Sequence, residues 1–233
     1  MEDKDVSQSS PSYSECVATQ PITIQPVPGA YVIQYSSAPP RGINCLQYIQ
    51  KIIIDKEVSM TEIFLNFKKE DCFAIKDELG RKLISFKEES SSLQRCCLGG
   101  FRDFVCKGFD LYGEEIINYE RVLNWKSCCD AENIIEVFSP PGNSVGKVTY
   151  DKINRKFVIW DITGLEIFNI QCTFKCCGKN TYVILYGEEP ISDINASKYI
   201  FEFSVPRDLQ PIQKALIIGG VLLLKSMFYD QAR

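Results

Sequence analysis

KALIIGGVLLLKSMFY, residues 214–229, is the stretch on which the reading of this chain turns. From Ala215 to Leu224 every residue is apolar or glycine; Lys225 then interrupts, and Met227, Phe228 and Tyr229 follow. Such a helix lies either in a bilayer or in a protein core. A spanning helix needs about 20 mostly apolar residues, and runs of about 10–14 are more often core helices. Length therefore favours a core helix. Each glycine of Gly219-Gly220 weakens a helix by about 1 kcal/mol relative to alanine, so the pair implies close packing against a neighbour, in protein or in lipid. Leu216, Gly219, Gly220 and Leu223 are the expected contact positions of this membrane or core helix.

The rest of the chain must say what surrounds it. Its 233 residues allow one large domain or two small ones, and 45% hydrophobic with 24% charged residues is ordinary globular composition. A net charge of −4 offers no basic patch for nucleic acid. The start, Met1-Glu-Asp-Lys-Asp, carries no apolar stretch of a secretory signal. There is no histidine, which removes Ser-His-Asp and Cys-His catalysis and His-ligated zinc. A thiol enzyme would rest on cysteine number alone, with no placed base.

Residues 1–41, with six prolines among Ser, Gln and Thr, read as a disordered tail, a place for protein partners. The folded part begins near residue 42. Residues 43–58 suit either a short helix or a strand. From Cys72 onward, apolar alternation and tight glycine turns recur in 73–86, 109–122, 134–150 and 156–172, four β-hairpins. TYVILYG (181–187) and KYIFEFSV (198–205) add two strands, about ten in all. An antiparallel set of that size closes into a barrel or packs as a sandwich, and a lone apolar helix can fill a barrel.

The 11 cysteines include three doublets, Cys96-Cys97, Cys128-Cys129 and Cys176-Cys177. In a reducing compartment a disulfide framework is not expected. Only Cys172-x₃-Cys176 has zinc-like spacing, without a partner pair. Two readings remain: buried thiols acting as small hydrophobes, or S-acylation, where two anchors make membrane attachment stable. Arg95, Lys126 and Lys175 precede the doublets and favour both thiolate and anionic lipid.

Residues 42–233 resemble the phospholipid scramblase family. The resemblance is carried by a collinear string: GINCLQYIQKI, FAIKDELGRKLISFKEES, RCC, GEEIINYERVL, the Ser127-Cys128-Cys129 segment, SPPGNSVGKV, RKFVIWDITGLEIF, FKCCG and VPRDLQPIQKALIIGGVLLLKSMFY. It implies an all-β fold similar to tubby-like proteins, an antiparallel barrel of about 10–12 strands enclosing the C-terminal hydrophobic helix. It also implies ATP-independent, calcium-activated, bidirectional movement of phospholipids, without covalent chemistry. Attachment to the cytoplasmic face of a membrane, the plasma membrane first, would run through palmitoylated Cys128, Cys129, Cys176 and Cys177.

The chain departs from the family pattern in three places. The acylation cluster shrinks to Cys128-Cys129 followed by Asp130. In the calcium segment, acidic positions fall on Ser197 and Tyr199; Asp208 matches as metal ligand, and Asp193, Asn195 and Glu202 serve only in another register. Calcium takes about six to eight oxygens, so strong binding is not expected. Between Cys177 and Ile200 the chain is shorter by roughly a strand, which predicts an altered closure or an exposed edge. Two functions follow: a lipid scramblase, or a lipid-anchored tubby-like module that binds and signals without transport.

Overall fold

The computed structural model describes residues 42–57, 72–90, 102–127, 130–173 and 180–230. A short 3₁₀ turn, Gly42–Leu46, leads into twelve strands. They are β1 (Lys51–Glu57), β2 (Cys72–Lys76), β3 (Lys82–Glu89), β4 (Phe104–Phe109), β5 (Glu115–Ser127) and β6 (Asp130–Phe138). There follow β7 (Ser144–Asp151), β8 (Lys156–Asp161), β9 (Glu166–Thr173), β10 (Thr181–Tyr186), β11 (Glu189–Ala196) and β12 (Ile200–Ser204). One α-helix, α1 (Pro211–Phe228), ends the described chain. Each strand pairs antiparallel with its sequence neighbours, and β12 returns to β1 to close the barrel, Ile53 standing opposite Glu202.

Alternation places one side chain in two on the axis. Ile52 and Ile54 of β1, Phe104 and Cys106 of β4, and Phe201 and Phe203 of β12 are buried, while their neighbours face outward. The stretch left open at 43–58 thus divides, a 3₁₀ turn and then a strand. The expected edge is absent, because β11 fills the place of the strand thought missing. Its pattern hid it: only Ile194 is buried, and Pro190, Ser192, Asp193 and Asn195 break the apolar alternation.

Because neighbouring strands run in opposite directions, the connections fall on two rims. α1 enters at one, the entry rim, where β2–β3, β4–β5, β6–β7, β8–β9 and β10–β11 turn. It ends at the other, the exit rim, where β7–β8 and β11–β12 turn. Three entry-rim turns repeat one device. Asp77, Asp110 and Asp161 each accept backbone N–H bonds two and four residues on, at 2.8–3.0 Å. Three residues after each aspartate, Gly80, Gly113 and Gly164 take φ of 74°, 80° and 82°, the left-handed region where glycine has no Cβ penalty.

Candidate functional site

α1 is the sole helix among the described residues long and apolar enough to cross a membrane, and 78% of it is buried inside the barrel. The sequence argument for a core helix holds. Pro211 opens it, and Gln213 Oε1 accepts the Gln210 N–H at 3.0 Å. Leu216 and Leu223 are buried as expected. The glycine pair is explained by proximity to the wall. A Cβ on Gly219 would stand 3.2 Å from both Tyr119 and Val137, and one on Gly220 would stand 2.8 Å from Ile170. Leucine at either position has no space, so such variants would fail to fold whatever the lipid activity. The barrel also narrows toward the helix at Gly146, where a Cβ would meet Trp160 O at 2.3 Å and Leu216 at 2.9 Å.

The lysines that bound the apolar run are used in opposite ways. Lys214 is fully buried in the first turn, a poor place for a cation beside the helix dipole. Its ammonium donates to the carbonyls of Leu46, Gln47 and Ile49 at 3.1, 3.0 and 2.8 Å, which ties α1 to the 3₁₀ turn. Burial holds its pKa below the usual lysine range, partly offset by the Asp208 carboxylate. Lys225, in the last turn, pairs with Asp230 at 2.7 Å. Neither lysine reaches toward solvent as a membrane anchor would. Between them, Tyr119 donates its hydroxyl to Ala215 O at 3.0 Å, and burial pushes its pKa well up.

At the exit rim the interior turns polar. Arg102 reaches Glu88 Oε1 through Nε at 2.9 Å and Nη2 at 2.6 Å, and Arg121 donates to Asn133 Oδ1 at 2.6 Å. Burial lowers the Arg121 pKa to about 10, an effect that Arg102 adds to. Tyr150, Phe157, Tyr182 and Phe201 form a collar around Phe228 and Tyr229, with ring centroids 5.0–6.5 Å apart. The sequence reading passed over these buried charges. A signal existed: Arg121 shares strand parity with Ile117, Tyr119 and Leu123, so alternation alone points it inward.

The calcium candidates do not gather. Asp193, Asn195 and Glu202 stand on the outer face of β11 and β12, where Asn195 is the cross-strand partner of Glu202. Glu202 already pairs with Lys51 at 3.2 Å. Asp208 lies beyond the end of β12 in the turn into α1, at the entry rim. Among the described residues no three Cys, Asp or Glu side chains form a metal-holding group. This donor set does not fit calcium as a single site. Ser197 is occupied in the β11–β12 turn, its hydroxyl accepting the Ile200 N–H at 3.0 Å.

Cys128, Cys129, Cys176 and Cys177, with Cys96 and Cys97, lie outside the described residues. Described thiols behave as small hydrophobes: burial pushes Cys172, and burial with Asp110 pushes Cys45, up to about 12, leaving little thiolate at neutral pH.

The fold is thus a closed antiparallel barrel holding its own apolar helix. The scramblase family profile matches residues 30–231, and the chain belongs to that family. It is 27% identical over 242 residues to human phospholipid scramblase 2, covering 92% of this chain and 82% of that protein. Human phospholipid scramblase 1 is 28% identical, covering 87% and 72% respectively. Human phospholipid scramblase family member 5 is 28% identical, with 89% and 83% covered.

Proposed function

We propose that this protein is a membrane-associated phospholipid scramblase that moves lipids in both directions between leaflets without ATP, and that it does so with α1 kept inside the barrel. The observation that carries the second half is the double restraint on α1, Lys214 on three carbonyls and Lys225 on Asp230. Releasing the helix would expose the inward Ile, Phe and Tyr side chains of twelve strands. Each costs about 1.5–3 kcal/mol when uncovered, against a total stability of about 5–15 kcal/mol for a typical domain. Extraction is unfolding. In this proposal transport runs without covalent chemistry and without a spanning α1, the barrel acting from the membrane surface by lowering the barrier to headgroup passage.

Attachment in this proposal comes from acylation at the cysteine doublets. It is supported by topology: β3 and β4, β5 and β6, and β9 and β10, the strand pairs flanking the three doublets, all meet at the exit rim. In this proposal the exit rim faces the cytoplasmic leaflet of the plasma membrane. No step is routed through calcium, since Asp193, Asn195, Glu202 and Asp208 do not converge.

The same restraint favours a second reading, a lipid-anchored module that binds partners through its N-terminal tail and transports nothing. Reconstituted liposomes separate the two. Quenching of labelled lipid by dithionite, with and without calcium, reads transfer, while hydrogen exchange reads the strands around α1. Transfer with strand amides still protected supports the proposal. Transfer accompanied by strand deprotection means that α1 leaves the barrel, and no transfer from folded protein leaves the binding module.

A further inference from the structure

We infer that the β7–β8 and β11–β12 turns of the exit rim form a docking surface for an anionic bilayer, with Ile153 as its inserted side chain. This rests on the membrane-associated reading above, and it assigns a contact made by the fold itself, apart from any acyl chain. Ile153 is 91% exposed, more than any other large hydrophobic side chain among the described residues. A single exposed isoleucine is unremarkable on its own. Here it stands at a turn tip with Lys152 before it and Arg155 and Lys156 after it. An apolar tip ringed by cations matches the boundary between acyl chains and anionic headgroups.

The tip is held ready. Asp151 Oδ1 accepts the N–H groups of Ile153 and Asn154 at 2.9 and 3.1 Å, and Asp151 Oδ2 accepts from Asn154 Nδ2 at 2.7 Å. Arg155 takes φ 53°, and its carbonyl is bonded by the Cys172 N–H at 3.1 Å. A turn already ordered loses little entropy when it docks. Lys156 pairs with Glu166 at 3.2 Å, so its charge is directed along the barrel wall.

Further round the same rim, past the ends of β9 and β10, the β11–β12 turn repeats the chemistry. Lys198 lies over the Tyr199 ring at 5.2 Å, and Tyr199 and Ile200 are partly exposed. Tyrosine with a cation is the pairing that settles at headgroup level. Setting aside Lys156, which is turned toward Glu166, the segments 151–156 and 197–200 carry three cations, Lys152, Arg155 and Lys198, and one carboxylate, Asp151. The entry rim also exposes Leu79, Leu111, Ile162 and Leu165, but Leu111 sits beside Glu114 and Glu115, and Ile162 and Leu165 beside Asp161 and Glu166. Around Leu79 the cations Arg81 and Lys82 are balanced by Asp77 and Glu78, so these turns offer an anionic surface no net positive charge.

The test is sedimentation of the full, unacylated chain with phosphatidylcholine vesicles and with vesicles of phosphatidylcholine plus phosphatidylserine. Binding is expected to the second kind and to fall with salt. Ile153→Asp is expected to weaken it about 10-fold or more, and Lys152→Glu with Lys198→Glu about 10-fold or more. Leu79→Asp, on the opposite rim, should leave it unchanged. All four residues are exposed, and unchanged thermal unfolding confirms that the variants fold. Equal binding by wild type and Ile153→Asp overturns the inference. So does no wild-type binding, equal binding to both vesicle types, or a loss at Leu79→Asp that matches Ile153→Asp. The activity reading fails separately: binding that depends on Ile153 without lipid transfer removes scrambling and leaves the docking surface. Lipid transfer with Ile153-independent binding does the reverse.

Discussion

The two rims of the barrel are built by different physics. At the entry rim the chain reverses through three copies of one local solution, an aspartate capping its own turn and a glycine three residues later with positive φ. Everything needed is within five residues. At the exit rim the described interior depends on buried charged and polar side chains that must find each other: Glu88 with Arg102 and Arg121 with Asn133 across neighbouring strands, and Lys225 with Asp230 at the end of α1 beside an aromatic collar. The first kind of end is cheap and tolerant. The second is costly to desolvate and sensitive to loss of either partner.

If this contrast is right, the largest effect belongs to the exit rim. Arg102→Leu leaves Glu88 buried without its guanidinium and should cost about 3–5 kcal/mol, read as a lowered urea midpoint. The double change Arg102→Leu with Glu88→Leu should recover most of that loss. A double variant as weak as the single one would show that the ion pair is not the determinant.

Lys214→Met comes next, since it strands the carbonyls of Leu46, Gln47 and Ile49 at the mouth of the barrel. About 2–3 kcal/mol is expected, with hydrogen exchange accelerated first in the 3₁₀ turn. A uniform change across all strands would mean that Lys214 holds the whole barrel, and the entry rim would no longer be the more local end.

Gly80→Ala and Gly164→Ala each place a Cβ in the left-handed region, at φ 74° and 82°, with open space around it. The cost is backbone strain alone, about 1–2 kcal/mol, and the two should add when combined because they share no partner. Marked non-additivity in thermal unfolding would mean that these turns are coupled.

The smallest effect is a pH slope. Burial raises the Asp77 pKa, but the Arg81 and Leu79 N–H groups and the Arg81 guanidinium outweigh it and hold it below the ordinary value of 3.8. A carboxyl lowered in the folded state binds protons more readily when unfolded. Its stabilisation is therefore present above the unfolded pKa and is lost as pH falls below it. Asp77→Asn should flatten the decline in urea midpoint between neutral and acid pH; an unchanged slope would remove Asp77 from the account.

Much of the barrel was legible because strands with one buried face write period two into the sequence, and ten of the twelve did so. The two that did not are instructive. β1 follows a 3₁₀ turn with Ile52-Ile53-Ile54, a run that suits helix and strand equally. β11 offers one buried isoleucine, and its membership comes from pairing with β10 and β12 rather than from its own pattern. The candidate site was legible only in part. The apolar helix, its glycine pair and its burial could be anticipated, but the calcium candidates could not be sorted. Asn195 and Glu202 become neighbours through strand register, and Asp208 is carried to the entry rim by the same folding.

What the amino-acid order determined by itself is therefore local: alternation, the aspartate–glycine turns, and an apolar run too short to favour a bilayer. Only the tertiary structure decided that this run fills a closed barrel and that its bounding lysines are consumed by three carbonyls and one carboxylate. It also decided that the cationic turns around Ile153 and Lys198 share a rim. Backbone periodicity and turn strain act over a few residues, whereas barrel closure and burial of charge depend on groups up to 168 residues apart.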